Sequence, residues 1–260
     1  MKNFFSKFGA AASLAGLLTL GSPAAPEDFL YSFFQPNQGL ENAIGKAEAY
    51  ENAAVKNGQE SAKYESIKLT ERDQIENYVG IKRGINQLSR GRNAGFYGKL
   101  SHKFVGLSEN AGLRYVANQN DADLALQIIA LAHAGFSSMK AAGFLNYDER
   151  NLDNAHLMYK TALQLRRQLD QGRKKQVGYV YVEGNESGIN VAPEELHRER
   201  IAEILSYLHE RKNGDEKEAM KRHGRELYLG LLADTENPTK VEIYKKGLER
   251  FGYITRQVSK

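Results

Sequence analysis

The chain has 260 residues and no cysteine, with 41% hydrophobic and 26% charged residues and a formal net charge of +4. That composition suits one sizeable globular domain or two small ones. It excludes disulfides, thiolate metal sites, cysteine nucleophiles and lipid attachment through cysteine, so stability has to come from packing.

At the N-terminus, Lys2 and Lys7 precede an uncharged run from Phe8 to Leu20 that closes in Gly21-Ser22-Pro23-Ala24. The run is shorter than the roughly 20 apolar residues needed to cross a bilayer, and Ser22 and Ala24 suit the small positions before a processing site. Residues 1–24 therefore read as a signal peptide cleaved after Ala24, with an amphipathic or core helix as the alternative. The expectation is an exported protein, secreted, periplasmic or at the cell surface, whose residues 25–260 form a helical domain. No later segment reads as long and apolar enough to span a membrane. Cleavage would remove two lysines and no acid, taking the net charge from +4 to +2. Overall basicity is then no argument for nucleic acid.

Charge is uneven along the chain. Residues 27–76 hold ten acids and five bases, whereas 77–120 hold seven bases and the single acid Glu109. A first helical region, rich in alanine and glutamate, is expected from Leu40 to Leu69, and Thr70 with Asp73 reads as the capping start of a second that runs to Leu88. The four glycines within Gly91–Gly106 predict a loop or a short broken helix, since each costs about 1 kcal/mol relative to alanine inside a helix. Asp121–Phe144 is the most apolar helix, and its alanines and glycines imply close packing on both sides, which makes it central. Asn151–Gln171 forms the next helix, ending at Gly172 with Arg173, Lys174 and Lys175 beside its negative dipole end.

The period then changes. Val177–Val182 alternates as a strand, Gly184–Gly188 is turn-like and Ile189–Val191 returns, which gives a small hairpin and a sub-boundary near 172–193. Pro193 opens a helix to Lys212, Asp215–Ala233 forms another, and Asn237-Pro238 opens the last, to Phe251. From Glu194 onward the thirteen acids and fourteen bases are interspersed in the manner of solvated helix faces. The fold class is all-α, either an antiparallel helical bundle or a short helical-repeat array, with a small β-hairpin insert.

Gly143, Ala155, Tyr159 and Ala162 stand at relative spacings 0, 12, 16 and 19, and Tyr159-Lys-Thr-Ala162-Leu163 is echoed by Tyr244-Lys-Lys-Gly247-Leu248. This pattern resembles the tetratricopeptide repeat, whose paired helices need small residues where they cross. The resemblance covers one repeat and a half repeat, and implies paired helices that present a surface to a protein or peptide. Met139, Ala142 and Asn146 depart from the large first-helix positions of that family, and the echo does not fall on a multiple of its period of about 34 residues.

The basic stretch within Ile81–Gly106 is the binding candidate. Lys82, Arg83, Arg90, Arg92, Lys99 and Lys103 beside Phe96 and Tyr97 can neutralise phosphates or other anions and stack on sugars or bases. For an exported chain the fitting anions are surface head groups, wall polymers or an acidic partner rather than nucleic acid. Neutralising the acidic region of the same chain is the alternative. Glu194-x-x-His197 and Asp153-x-x-His156 have the spacing of bundle di-metal sites, but nothing selects Glu41, Glu48 or Glu76 as the further carboxylates, and no metal site is assigned. His133, in the apolar central helix, reads as a packing histidine.

Asn185-Glu186-Ser187-Gly188 resembles the Glu-Ser-Gly segment of lytic transglycosylases, which would make Glu186 the general acid of a glycan-cleaving enzyme. Its position in a turn after a strand, rather than at the end of a buried helix, argues against catalysis. The same triplet makes Asn185 an N-glycosylation acceptor. No catalytic triad or cofactor motif is recognisable. The residues favour a non-enzymatic interaction or scaffold protein, with polyanion or cell-surface binding through residues 82–103 as the first alternative and the glycan-cleaving enzyme as the second.

Overall fold

The computed structural model describes residues 64–171, 175–184 and 187–253. They run β1 (Tyr64–Leu69), α1 (Arg72–Leu88), α2 (Ala94–Asn118), α3 (Asp121–Phe144), α4 (Glu149–Asp170), β2 (Gln176–Val182), β3 (Ile189–Asn190), α5 (Glu194–Leu208), α6 (Gly214–Asp234) and α7 (Pro238–Arg250). The expected signal peptide, residues 40–63 of the first expected helix, Arg173, Lys174, Asn185 and Glu186 lie outside the described residues.

α3 has the boundaries its apolar run predicts. Asn120 caps it by accepting a hydrogen bond from the Ala122 amide at 2.9 Å, and Asp121 and Asp123 sit at its positive end. By length and composition it is apolar enough to cross a membrane, which corrects the expectation that no later segment is; its whole apolar window is nevertheless buried inside the protein. α2 and α4 pack along α3, and successive parts of it serve two cores. Leu124, Leu126, Ile128, Ile129, Leu131 and Ala134 join Phe104, Met158, Ala162 and the sheet residues Val177, Val180 and Ile189. Phe136, Met139 and Ala142 join Tyr159, Leu163, Ile204, Leu205, Tyr228, Tyr244 and Leu248. The fold is therefore all-α with a small sheet, and α3 is its axis.

The hairpin forms where the alternation places it, with Tyr179 opposite Asn190 and Val180 opposite Ile189. The sheet also has a strand where a helix was expected. The end of the Leu40–Leu69 segment is β1, which runs parallel to β2 from Tyr64 opposite Gln176 to Leu69 opposite Val182, with an irregularity at Glu65/Ser66. The Tyr64–Leu69 run alternates, with Ile67 packed on the core and Leu69 buried while Ser66 and Lys68 are exposed. Its partner lies four helices downstream, so no local turn announces the pairing.

Gly91–Gly106 also departs from the expected loop or short broken helix. From Ala94 it is regular helix. Asn93 caps it by accepting from the Phe96 amide at 2.8 Å, and Tyr97, Leu100, Phe104, Val105 and Ala111 recur at helical spacing on the face turned to the core. Burying that stripe, at about 25 cal/mol per Å² of apolar surface, outweighs the glycine cost. Helix ends shift elsewhere. Glu71, not Thr70, precedes α1 and makes no side-chain cap. Pro193 is the N-cap rather than the first residue of α5, which stops at Leu208 instead of Lys212. Asn237 caps α7 by accepting from the Thr239 amide at 3.0 Å.

Candidate functional site

α1 and α2 form an antiparallel hairpin. Asn77 donates to the Leu107 carbonyl at 2.8 Å, Gly84 lies against the Phe104 ring, and the Tyr97 hydroxyl donates to the Leu88 carbonyl at 3.0 Å near the connector. These contacts place Arg83 on α1, Arg90 and Arg92 in the connector, and Lys99 and Lys103 on α2 within the connector half of one hairpin. All five are exposed, and none has an ion-pair partner among the described residues.

The other expected members of this group differ. Lys82 is half-buried, and its ammonium donates to the Ser187 hydroxyl at 2.5 Å, while Tyr78 donates to the Ser187 carbonyl at 2.6 Å. It therefore ties the β2–β3 turn to α1. Tyr97 is 5% exposed and stacked on Phe144 at 5.8 Å, which takes it out of any stacking platform. Phe96 is half-buried and packs on the core. Both aromatics fix the start of α2 instead of meeting a ligand.

The outward face of α2 holds a feature the basic pattern alone did not show. At 100° per residue, Gly95, Gly98, Lys99, His102, Lys103 and Gly106 share the arc opposite the core stripe. A Cβ built on Gly98 or Gly106 would meet nothing within 4 Å. Two helix-interior glycines thus weaken α2 with no packing gain among the described residues, side by side with three basic or imidazole side chains.

The charges of α5 point the other way. Glu199, Arg200 and Glu203 are buried, which corrects the reading of this stretch as solvated helix faces. α4, α6 and α7 pack against α5, so most of a polar helix is covered. Its charges are paired as burial requires. Arg200 donates to Glu203 at 3.0 Å, Lys240 bridges to Glu195 at 2.7 Å, and the Tyr244 hydroxyl lies 3.1 Å from Glu199 and 3.3 Å from Glu195. Burial pushes the Glu199 carboxyl up and keeps the Tyr244 phenol protonated.

The two carboxylate–histidine spacings do not converge on an ion. His197 is fully buried, and burial, followed by the nearby Arg166, lowers it to about 3. Glu194 turns instead to Arg167 at 3.0 Å. Asp153 accepts from Lys212 at 3.3 Å, and burial lowers His156 to about 4. Glu76 pairs with Arg72 at 2.9 Å. Among the described residues no group of three or more histidine and acidic side chains is placed to hold a metal. His133 packs on Phe104 at 5.5 Å, and its Nδ1 lies 2.8 Å from the Ile129 carbonyl, as a packing histidine does.

The repeat-pattern residues are all interior: Gly143, Ala155, Tyr159 and Ala162 at α3 and α4, Tyr244 and Gly247 at α7. In the α3–α4 pair the Tyr159 ring of the second helix covers Gly135 of the first, whereas in α6–α7 the Tyr228 ring of the first helix covers Gly247 of the second. No family model matches the chain, and comparison with curated proteins and with solved structures likewise finds nothing similar.

Proposed function

We propose that this chain is an exported, non-enzymatic interaction protein built from helix pairs, and that the connector half of its α1–α2 hairpin binds an anionic surface or wall polymer. The observation that carries the reading is the outward face of α2. Lys99 and Lys103 are exposed with Arg83, Arg90 and Arg92 close by on the hairpin, all without counter-ions among the described residues, and Gly98 and Gly106 leave the helix backbone bare between them. Unpaired cations attract a polyanion and release its counter-ions, and a bare backbone lets an extended chain lie close. Residues that weaken a helix without serving its packing are what a binding face requires when stability and function compete. The close helix crossings at Gly135 and Gly247 support the scaffold part of the reading, in the manner of tetratricopeptide-like pairs.

The test is the chain with Arg90, Arg92 and Lys99 all changed to glutamate, offered to anionic-lipid vesicles and to purified wall polymer. Binding should weaken by at least about tenfold at low salt and lose much of its salt dependence. Unchanged binding would remove the hairpin as the site. An absence of binding by the unaltered chain to either material would remove the polyanion reading.

A further inference from the structure

The outer face of the small sheet carries aromatic side chains turned away from the core. Along β2, Val180 and Val182 pack on the core, so Tyr179 and Tyr181 alternate with them to the opposite face, about 7 Å apart at 3.3 Å per residue. The pairing sets Ser66 and Asn190 on either side of Tyr179, and Lys68 beside Tyr181. On β1, Ile67 and Leu69 face the core, which leaves Tyr64, Ser66 and Lys68 on the outer face. α3 and α4 pack on the inner one. We propose that the outer face is a second binding surface, a stacking platform for an uncharged glycan.

The rings lie in the posture that stacking needs. A Cβ on Gly188 would run into the Tyr179 ring, and one on Gly178 into Tyr64, so each ring lies over a glycine. A ring laid over backbone turns one face to the sheet and the other outward, and both tyrosines are half-buried, as is Tyr181. A β-linked pyranose presents axial C–H groups on its two faces and hydroxyls around its edge. The C–H faces pack on aromatic rings, while the hydroxyls need a few polar groups at the rim to fix their orientation. Ser66, Asn190 and the phenol hydroxyls supply them.

Charge and size select the occupant. Lys68 pairs with Glu183 at 3.1 Å, so the two charges at this end of the face cancel. A polyanion calls for unpaired cations, which the α1–α2 hairpin has and this face lacks among the described residues. Strands of six, seven and two residues, about 4.8 Å apart, offer roughly 200–300 Å² on one face. A stable protein interface buries about 800 Å² on each side, more than a second copy seated here would reach. A few sugar rings in a row need no more than the sheet provides. This surface is independent of the basic hairpin, since one works by stacking and the other by charge.

The test is binding of β-linked oligosaccharides of glucose and of N-acetylglucosamine, all uncharged, to the full chain. Calorimetry should show binding to at least one of them that persists at about 0.5 M salt, because an uncharged ligand is not screened. Tyr181 is the residue to change, as Tyr179 also shields the turn glycine. Tyr181→Ala should weaken binding at least about tenfold, and Tyr181→Phe, which keeps the ring, by no more than about threefold. The chain with Arg90, Arg92 and Lys99 changed to glutamate should bind the glycan as the unaltered chain does, so either surface can fail while the other stands. Should Tyr181→Ala not fold, nitration of the unaltered chain decides, since bound glycan should shield Tyr179 and Tyr181 from the reagent. No binding of either sugar, equal binding by Tyr181→Ala, or equal nitration with and without glycan overturns the proposal. Rings already shielded before glycan is added would overturn it too, giving the face to residues 1–63 of the same chain or, where sedimentation shows a dimer, to a second copy.

Discussion

α2 and α5 carry charge in opposite senses. Lys99 and Lys103 of α2 face outward without partners among the described residues, while Glu199, Arg200 and Glu203 of α5 face inward and are held by one another and by α7. The difference lies in coverage. α2 buries one stripe and leaves Lys99, His102 and Lys103 exposed on the opposite side, whereas α5 packs against α4, α6 and α7. A charge that no described residue pairs with can serve a partner, whereas one that is buried is committed to holding helices together.

The sharpest way to break that comparison is to substitute one charged residue in each region. Arg200→Ala leaves Glu203 with an uncompensated buried carboxylate and should lower stability by about 3–5 kcal/mol. Arg90→Glu, on the exposed connector, should change it by less than about 0.5 kcal/mol. Urea unfolding of the two chains measures both. Equal losses would mean that the inside and outside charges are not distinct in kind.

Acid comes next in size. His156 is lowered to about 4 and His197 to about 3, in each case by burial first. Both are neutral in the folded chain, while the unfolded chain takes up protons below the ordinary value of 6.5. The unfolded state then binds more protons, so stability present above 6.5 is lost as pH falls toward these values. For His156 the loss is at most about 3 kcal/mol, at about 1.4 kcal/mol per unit. His156→Gln should flatten the pH dependence of the thermal midpoint between about pH 6.5 and about pH 4. A curve unchanged by that substitution would show that His156 is not kept neutral by the α4 interface.

Much of the architecture was legible because it is written locally. The unbroken apolar run of Asp121–Phe144 gives the central helix, and the alternation of Val177–Val182 before a glycine turn gives the hairpin. What escaped depends on residues far away. β1 is a strand because β2 lies beside it, and Tyr64–Leu69 taken alone has no hairpin partner to reveal it. The buried charges of α5 look like any interspersed polar helix until three others close around them. At the candidate site the cations were legible from their clustering, but the withdrawal of Tyr97 into the core and of Lys82 toward Ser187 was not. The bare positions of α2 could have been found by setting Gly95, Gly98, Lys99, His102 and Gly106 on a helical wheel, had the glycine count not argued against a helix there.

Those glycines give the smallest effect and the one that best separates binding from packing. Gly98 and Gly106 are helical, and a methyl group at either would touch nothing within 4 Å. Alanine there reduces the freedom of the unfolded chain and improves helix propensity without a steric cost, so Gly98→Ala and Gly106→Ala should each raise stability by about 0.5–1 kcal/mol. For a domain of this size that is a rise of about 1–4 °C in the unfolding midpoint, readable by calorimetry. If the outward face of α2 receives a polymer, the same two substitutions should weaken binding to anionic vesicles or wall polymer by a few fold, with every cation still in place. A gain in stability with unchanged binding would leave the cations as the whole site and the glycines as bystanders. A loss of stability would mean that something covers this face of α2, and the contrast with α5 would fall with it.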